Sequence, residues 1–138
     1  MIERLAMLLL IAALLSLGWH GLRWRSLRLA RAAPLPPEAV QALAGANTAI
    51  LYFWTASCAQ CRSLQTPALR QLERELHPAV AVVPIDAAAR SELSARFGII
   101  TVPATVIIDQ GGVRSVNLGY TSAAVLREQL NRATPTQL

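Results

Sequence analysis

The stretch from Thr48 to Leu76 leaves this chain little choice of fold. It opens with Thr48-Ala49-Ile50-Leu51-Tyr52-Phe53-Trp54, a short β-branched and aromatic run that reads as a buried strand. It closes with Leu64, Ala68, Leu69, Leu72 and Leu76 at helical spacing, which predicts a helix from about Ala59 to Leu76. Between the two stand Cys58 and Cys61, the chain's two cysteines. A Cys-x-x-Cys on a strand-to-helix turn puts its first sulfur at the helix N-terminus. There, unpaired backbone N–H groups and the helix dipole favour a thiolate. The second sulfur lies about one turn further in, within disulfide reach. An accessible thiolate of this kind attacks disulfides, so thiol–disulfide exchange is the expected chemistry, with Cys58 as nucleophile and Cys61 as resolving thiol. Two cysteines do not make a structural disulfide framework, and one Cys-x-x-Cys is only half of a zinc site. No metal site is therefore expected.

Composition matters mainly at the N-terminus. Hydrophobic residues make up 54% of the 138, and the excess sits there. Leu5 to Leu22 is an 18-residue stretch without formal charge. As a helix it is about 27 Å long, close to the ~30 Å hydrocarbon core of a bilayer. Trp19 and Trp24 fit an interfacial belt, and His20 fits the same interface. Residues 1–31 carry five arginines against Glu3, leaving +4 of the net +5, while residues 32–138 carry +1. The basic character belongs to a short segment rather than to a nucleic-acid-binding face, so no nucleic acid is expected as partner. The alternative to an anchor is a cleaved signal peptide. Ala30-Arg31-Ala32 imitates a small-x-small cleavage site, but three arginines separate it from the apolar run and a fourth stands inside it. An uncleaved transmembrane anchor, binding membrane lipid, is the expectation.

The boundaries expected are an anchor with its basic flank at 1–31, a proline-rich linker at 32–37, a globular domain at 38–133 and a tail at 134–138. Glu38 to Ala44 reads as a short helix closed by Gly45. Pro67 inside the long helix removes a hydrogen bond and should bend it. Val80 to Asp86 is the next strand, and Pro84 within it argues for a sheet edge. Ala87 to Phe97 reads as a helix with Leu93 and Phe97 inward, stopped by Gly98. Ala104 to Asp109 and Val113 to Leu118 form a hairpin about Gln110-Gly111-Gly112. Thr121 is the expected cap of a last helix, with Val125, Leu126 and Leu130 inward. His77 marks a helix end. The order β-α-β-α-β-β-α implies an α/β fold, one mixed sheet flanked by helices.

Phe53-Trp54 followed by Cys58-Ala59-Gln60-Cys61-Arg62 resembles the thioredoxin active site. Arg96-Phe97-Gly98-Ile99-Ile100-Thr101-Val102-Pro103-Ala104-Thr105 is similar to the thioredoxin segment whose proline is cis and faces the cysteines. Gly111-Gly112-Val113 and Gly119 resemble its last hairpin and substrate-side glycine. The likeness runs from about residue 38 to 133. It implies a thioredoxin-like fold, a cis-Pro103 beside Cys58, and a substrate groove lined by Trp54, Ser57, Ala59, Gln60, Thr101, Val102 and Gly119. It also implies protein dithiol or disulfide substrates, a redox recycling partner, a monomer, and no cofactor beyond the cysteine pair. Little sequence is left for the strand that thioredoxins carry before the first helix, so that strand is expected to be short or missing. Ala59-Gln60 replaces the thioredoxin Gly-Pro, and Ser57 replaces a tryptophan. Tyr52 and Val82 stand where thioredoxins often keep a buried aspartate and a lysine.

Together these features point to a membrane-tethered thiol–disulfide oxidoreductase. The alternative is a non-enzymatic thioredoxin-like module that binds copper(I) on its two thiolates or serves a partner protein. The two indications of membrane side disagree. Arg23, Arg25, Arg28 and Arg31 follow the span, so the positive-inside rule places the domain in the cytoplasm. Membrane-tethered thioredoxin-like proteins more often face outward. The expectation leans to the charge rule.

Overall fold

The structure is a computed structural model and describes residues 1–133; the expected tail at 134–138 lies outside the described residues. A long helix α1 (Ile2–Ala32) is followed by α2 (Pro37–Gly45) and strand β1 (Thr48–Trp54). A π turn (Cys61–Gln65) leads into α3 (Thr66–Leu76), and β2 (Val80–Asp86) and α4 (Ser91–Arg96) come next. Strands β3 (Ala104–Asp109) and β4 (Gly112–Leu118) and helix α5 (Ala123–Ala133) complete the fold.

The four strands form one mixed sheet in the order β2-β1-β3-β4. β1 pairs in parallel with β2 and antiparallel with β3, and β3 pairs antiparallel with β4. Side chains alternate between the two faces, as the pleat requires. Ala49, Leu51 and Phe53 join Val106 and Ile108 in a core under α2, α4 and the end of α1. Ile50 and Tyr52 join Ile107 in a second core under α3 and α5, with Leu69, Leu72, Leu126 and Leu130. All six residues of β3 are buried, as a strand covered on both faces demands. Asn117 on β4 donates to Thr105 Oγ1 at 3.1 Å and exchanges amide bonds with Gln129 on α5, so the side chains of Thr105 and Asn117 are paired.

β2 is the edge strand that Pro84 foretold. Pro84 offers no N–H, and the outward N–H of Val82 donates to Glu73 Oε1 at 3.2 Å. A side chain and a proline thus close the edge against another strand. No strand precedes α2 among the described residues.

Several boundaries differ from the sequence expectation. The helix predicted from Ala87 starts only at Ser91, because Asp86 Oδ1 takes the N–H groups of Ala88 and Ala89 and holds residues 87–90 in turns. Pro67 falls in the first turn of α3, where its missing N–H costs nothing. The strain is taken up just before it, in the π turn closed by Thr66 N–H to Cys61 O. Ser122, not Thr121, caps α5, its Oγ lying 3.4 Å from the Val125 N–H. Val125 points outward and is 45% exposed, while Leu126 and Leu130 face the core.

The largest difference is in α1. It runs without a break from Ile2 to Ala32, and from Ile2 to Gly21 every residue is exposed. By length and composition it is apolar enough to cross a membrane. Its last two turns are not a free tether. Ala30 is fully buried in the first core, and Leu27, Ala33 and Leu35 pack against that core. Ser26, 2% exposed, donates from Oγ to the Gly98 carbonyl at 2.6 Å. Gly98 has φ +67°, and a Cβ there would lie 2.7 Å from Ser26 Cα. Only glycine fits this contact, both by conformation and by space.

Ser26→Ala leaves the buried Gly98 carbonyl unpaired, an expected loss of about 1–3 kcal/mol. Gly98→Ala adds a clash and an unfavourable φ to a similar site, and should cost more. Urea unfolding of the full chain in detergent, followed by tryptophan fluorescence, measures both. A Ser26→Ala variant as stable as the parent would show that the helix end is not docked.

Candidate active site

β1 leaves the core at Trp54, whose carbonyl accepts the Ala87 N–H at 2.8 Å. The next residues turn back sharply. Cys58 N–H donates to Thr55 O at 3.2 Å, and the Arg62 guanidinium donates to Ala56 O across the turn. Arg62 N–H then donates to Cys58 O at 3.3 Å, which starts the helical ladder at the first cysteine. Cys58 and Cys61 are joined as a disulfide, with their Cα atoms 5.3 Å apart. The Cys61 N–H points at Cys58 Sγ from 3.1 Å. Cys58 is half-buried, whereas Cys61 is 1% exposed and packs in the second core. The two sulfurs are therefore unequal. One has an exit to solvent and a backbone donor, and the other has neither.

The segment opposite is fixed by the sheet. Phe53 pairs with Ala104, and Ala104 pairs with Leu118, so one row ties the end of β1 to the start of β3 and the end of β4. The Val102–Pro103 peptide is cis, and Pro103 is buried. Gly119 N–H donates to Pro103 O at 2.8 Å, and Gly119 holds φ +88°, a conformation that glycine adopts without strain. Thr101 is exposed, while Val102 and Gly119 are half-buried. Ser57, Ala59 and Gln60 are exposed on the cysteine turn. Thr101 and Val102 share a groove with Thr55, Ala88, Ile99 and Ile100. Trp54 lines a different cavity, about 490 Å³, with Tyr52, Arg62, Val82 and Pro84.

Sequence reasoning missed Gln65. It is fully buried, its Nε2 donates to Thr121 O at 3.0 Å, and its Oε1 accepts Thr121 N–H at 2.9 Å. It thereby clamps the loop after Gly119 to the cysteine helix. The signal was a polar residue four places after Cys61 on the inward face. Arg62 enters the sequence motif only as the residue after the second cysteine, and the structure shows it as the donor that closes the turn.

Tyr52 occupies the core beneath the pair. Its hydroxyl donates to Cys61 O at 3.2 Å and lies 3.1 Å from Thr66 Oγ1. Burial pushes the phenol pKa up, and the bond to Thr66 offsets this in part. Tyr52 is therefore neutral under ordinary conditions and supplies no base beneath Cys61.

Residues 36–131 match the family described as TraF, F plasmid transfer operon protein. The chain belongs to the TraF family. Relatives of this TraF-family chain include thioredoxins. That of Bacillus subtilis is 25% identical over 80 residues, 58% of this chain and 76% of the relative. That of Alicyclobacillus acidocaldarius is 27% identical over 90 residues, 65% of this chain and 85% of the relative. The solved structure of thioredoxin-2, titled as a component of malaria parasite protein secretion machinery, matches with a TM-score of 0.59 at 15% identity. It covers 62% of this chain and 82% of that one, and at such identity it shows the fold alone. These findings bear out the thioredoxin-family reading and the mixed, helix-flanked fold. With the Cys58–Cys61 pair they support a thiol–disulfide oxidoreductase type of function for the TraF-family chain.

Because the Tyr52 pKa is raised, the folded chain keeps the phenolic proton to higher pH than the unfolded chain. This stabilisation is complete below pH ~10 and is lost as pH rises through the folded-state value. Tyr52→Phe should cost about 1 kcal/mol at neutral pH through the lost bond to Cys61 O. It should also flatten the fall in stability above pH ~10, as measured by urea unfolding on either side of that pH. An alkaline fall as steep as the parent's would contradict the assignment.

Proposed function

We propose that the chain is a membrane-tethered oxidoreductase that exchanges disulfides with protein substrates, with Cys58 as nucleophile and Cys61 as resolving thiol. The observation that carries this is the inequality of the pair. Cys58 is accessible and receives the Cys61 N–H, while Cys61 is buried behind it. In the reducing direction, the Cys58 thiolate attacks one sulfur of a substrate disulfide. The Cys58–substrate bond forms, the substrate S–S bond breaks, and the other substrate sulfur leaves as a thiolate. Cys61 then attacks Cys58 Sγ and closes the Cys58–Cys61 disulfide, and the second substrate sulfur leaves. The proton lost by Cys61 passes to the departing substrate thiolate, directly or through water, since Tyr52 stays neutral. Two electrons move from the dithiol to the substrate, and a recycling partner with its own dithiol restores the reduced pair. In reverse, the same steps oxidise a substrate.

The extended substrate pairs with the Val102 backbone beside Pro103, across a groove formed by Ser57, Ala59, Gln60, Thr101 and Gly119. Trp54 supports the strand end beneath it. Retention of the anchor is favoured by Ala30. It is fully buried in the core, so cleavage near Ala32 would strip an element that the fold uses. The arginines that follow the span favour the cytoplasmic side.

Cys58→Ser should abolish exchange with a protein disulfide. Cys61→Ala should leave mixed disulfides that non-reducing electrophoresis resolves and reductant dissolves. If neither variant differs from the parent in exchange, and Cys61→Ala traps nothing, the cysteines are not the working pair.

A further inference from the structure

The C-terminal half of α1 packs along β4, and two cavities show which of its residues lie beside which part of that strand. His20, Arg23, Trp24 and Leu27 share a cavity with Arg114, Ser115 and Val116 of β4. Trp19, about two turns closer to the N-terminus than Leu27, shares another cavity of about 440 Å³ with Leu118, Tyr120 and Thr121, at and beyond the end of β4. Trp19 and Arg23, where the apolar span ends, therefore lie beside the end of β4. The row Phe53–Ala104–Leu118 puts the end of β1 and the start of β3 at the same level as the end of β4. The cysteine turn follows Phe53, Pro103 precedes Ala104, and Gly119 follows Leu118. All three parts of the active site thus lie at the end of the domain nearest Trp19 and the exposed apolar helix.

Surface chemistry agrees with that placement. Among the described residues outside α1, the exposed large apolar side chains are Val40, Leu64, Ile100, Tyr120 and Val125. The last four belong to segments at this end: the π turn after Cys61, the loop before Pro103, the residue after Gly119, and the first turn of α5. Arg23, in the cavity with Trp19 and Tyr120, adds a positive charge where the apolar span ends. Ser26 is about 10 Å along the helix from Trp19 and is already locked to Gly98, so little free chain separates the domain from the end of the span.

We propose that the catalytic end faces the bilayer surface, and that the substrate is a cysteine pair of an integral membrane protein lying at that surface. This rests on the membrane-tethered oxidoreductase reading above. A disulfide held next to the bilayer meets Cys58 without reorientation, and the rim of Leu64, Ile100, Tyr120 and Val125 packs on the apolar surroundings of such a segment. A disulfide carried far from the membrane would reach Cys58 only by coming round to the membrane side of the domain.

The test uses the full chain, reduced and reconstituted in liposomes. Three peptide substrates each carry one disulfide loop. One is a single-span peptide with the loop at the bilayer surface. The second has the loop about 30 Å out, on a helical spacer of ~20 residues. The third is soluble. The surface loop should be reduced at least about tenfold faster than the distant one, because both reactants are held in one layer. Inserting ten Gly-Ser residues after Gly21, in an exposed turn, should erase that ratio while leaving reduction of the soluble loop unchanged. Equal rates for the two anchored loops in the parent would overturn the orientation, and so would a ratio that survives the insertion. Failure to reduce any of the three, the soluble loop included, would instead overturn the oxidoreductase reading.

Discussion

The pairing of β1 on both of its edges, with both of its faces covered, is the constraint on which the rest depends. Six of its seven residues are buried. A strand with no free edge and no free face has one register, since a slip of one residue would turn Ile50 and Tyr52 into the wrong core. That register sets Phe53 beside Ala104 and Ala104 beside Leu118. From it follows the meeting of three loops that are distant in sequence: the cysteine turn, the cis-proline segment and the Gly119 bend. The site is assembled by the sheet and not by the loops themselves. Gln65, itself fully buried, then ties the last loop to the cysteine helix through two bonds to Thr121.

Within that frame the cysteine turn is built from short-range parts. Arg62 holds Ala56, Thr55 holds Cys58, and the first free N–H of the helix falls to Cys58 Sγ. The π turn has a double use. It lets Pro67 enter the helix without loss of a bond, and the Cys61 carbonyl receives both the Thr66 N–H and the Tyr52 hydroxyl. Tyr52 thus replaces a buried charge with a neutral, satisfied group. The pocket under Cys61 has an apolar and aromatic character.

Much of this was legible in the sequence where one rule acted alone. The strands came from apolar runs, the edge from Pro84, and the site from the cysteine spacing. What failed were places where two rules competed. Asp86 looked like a strand end, but its carboxylate captured two N–H groups and delayed α4. Thr121 and Ser122 both suit a cap, and Gln65 had already claimed Thr121. The end of α1 was hidden by its arginines, which read as a basic flank. Leu22, Ser26, Leu27, Ala30 and Ala33 nevertheless recur at helical spacing, with Arg25, Arg28 and Arg31 on the other side. That amphipathic stretch is a docking face that charge counting alone does not reveal. Its partner, Gly98, looked like a helix stop, and it is also the floor on which the long helix rests.

The two sulfurs, three residues apart, are unequal in exposure and in hydrogen bonding. The most direct measurement is the rate of alkylation of the reduced full chain against pH, with the modified residue identified by mass. A single fast-reacting thiol, Cys58, is expected, and its apparent pKa should lie below the ~8.5 of a free cysteine. Cys61 should stay unmodified until the chain unfolds. Equal reactivity of the two, or a Cys58 that titrates at or above the free value, would contradict the account.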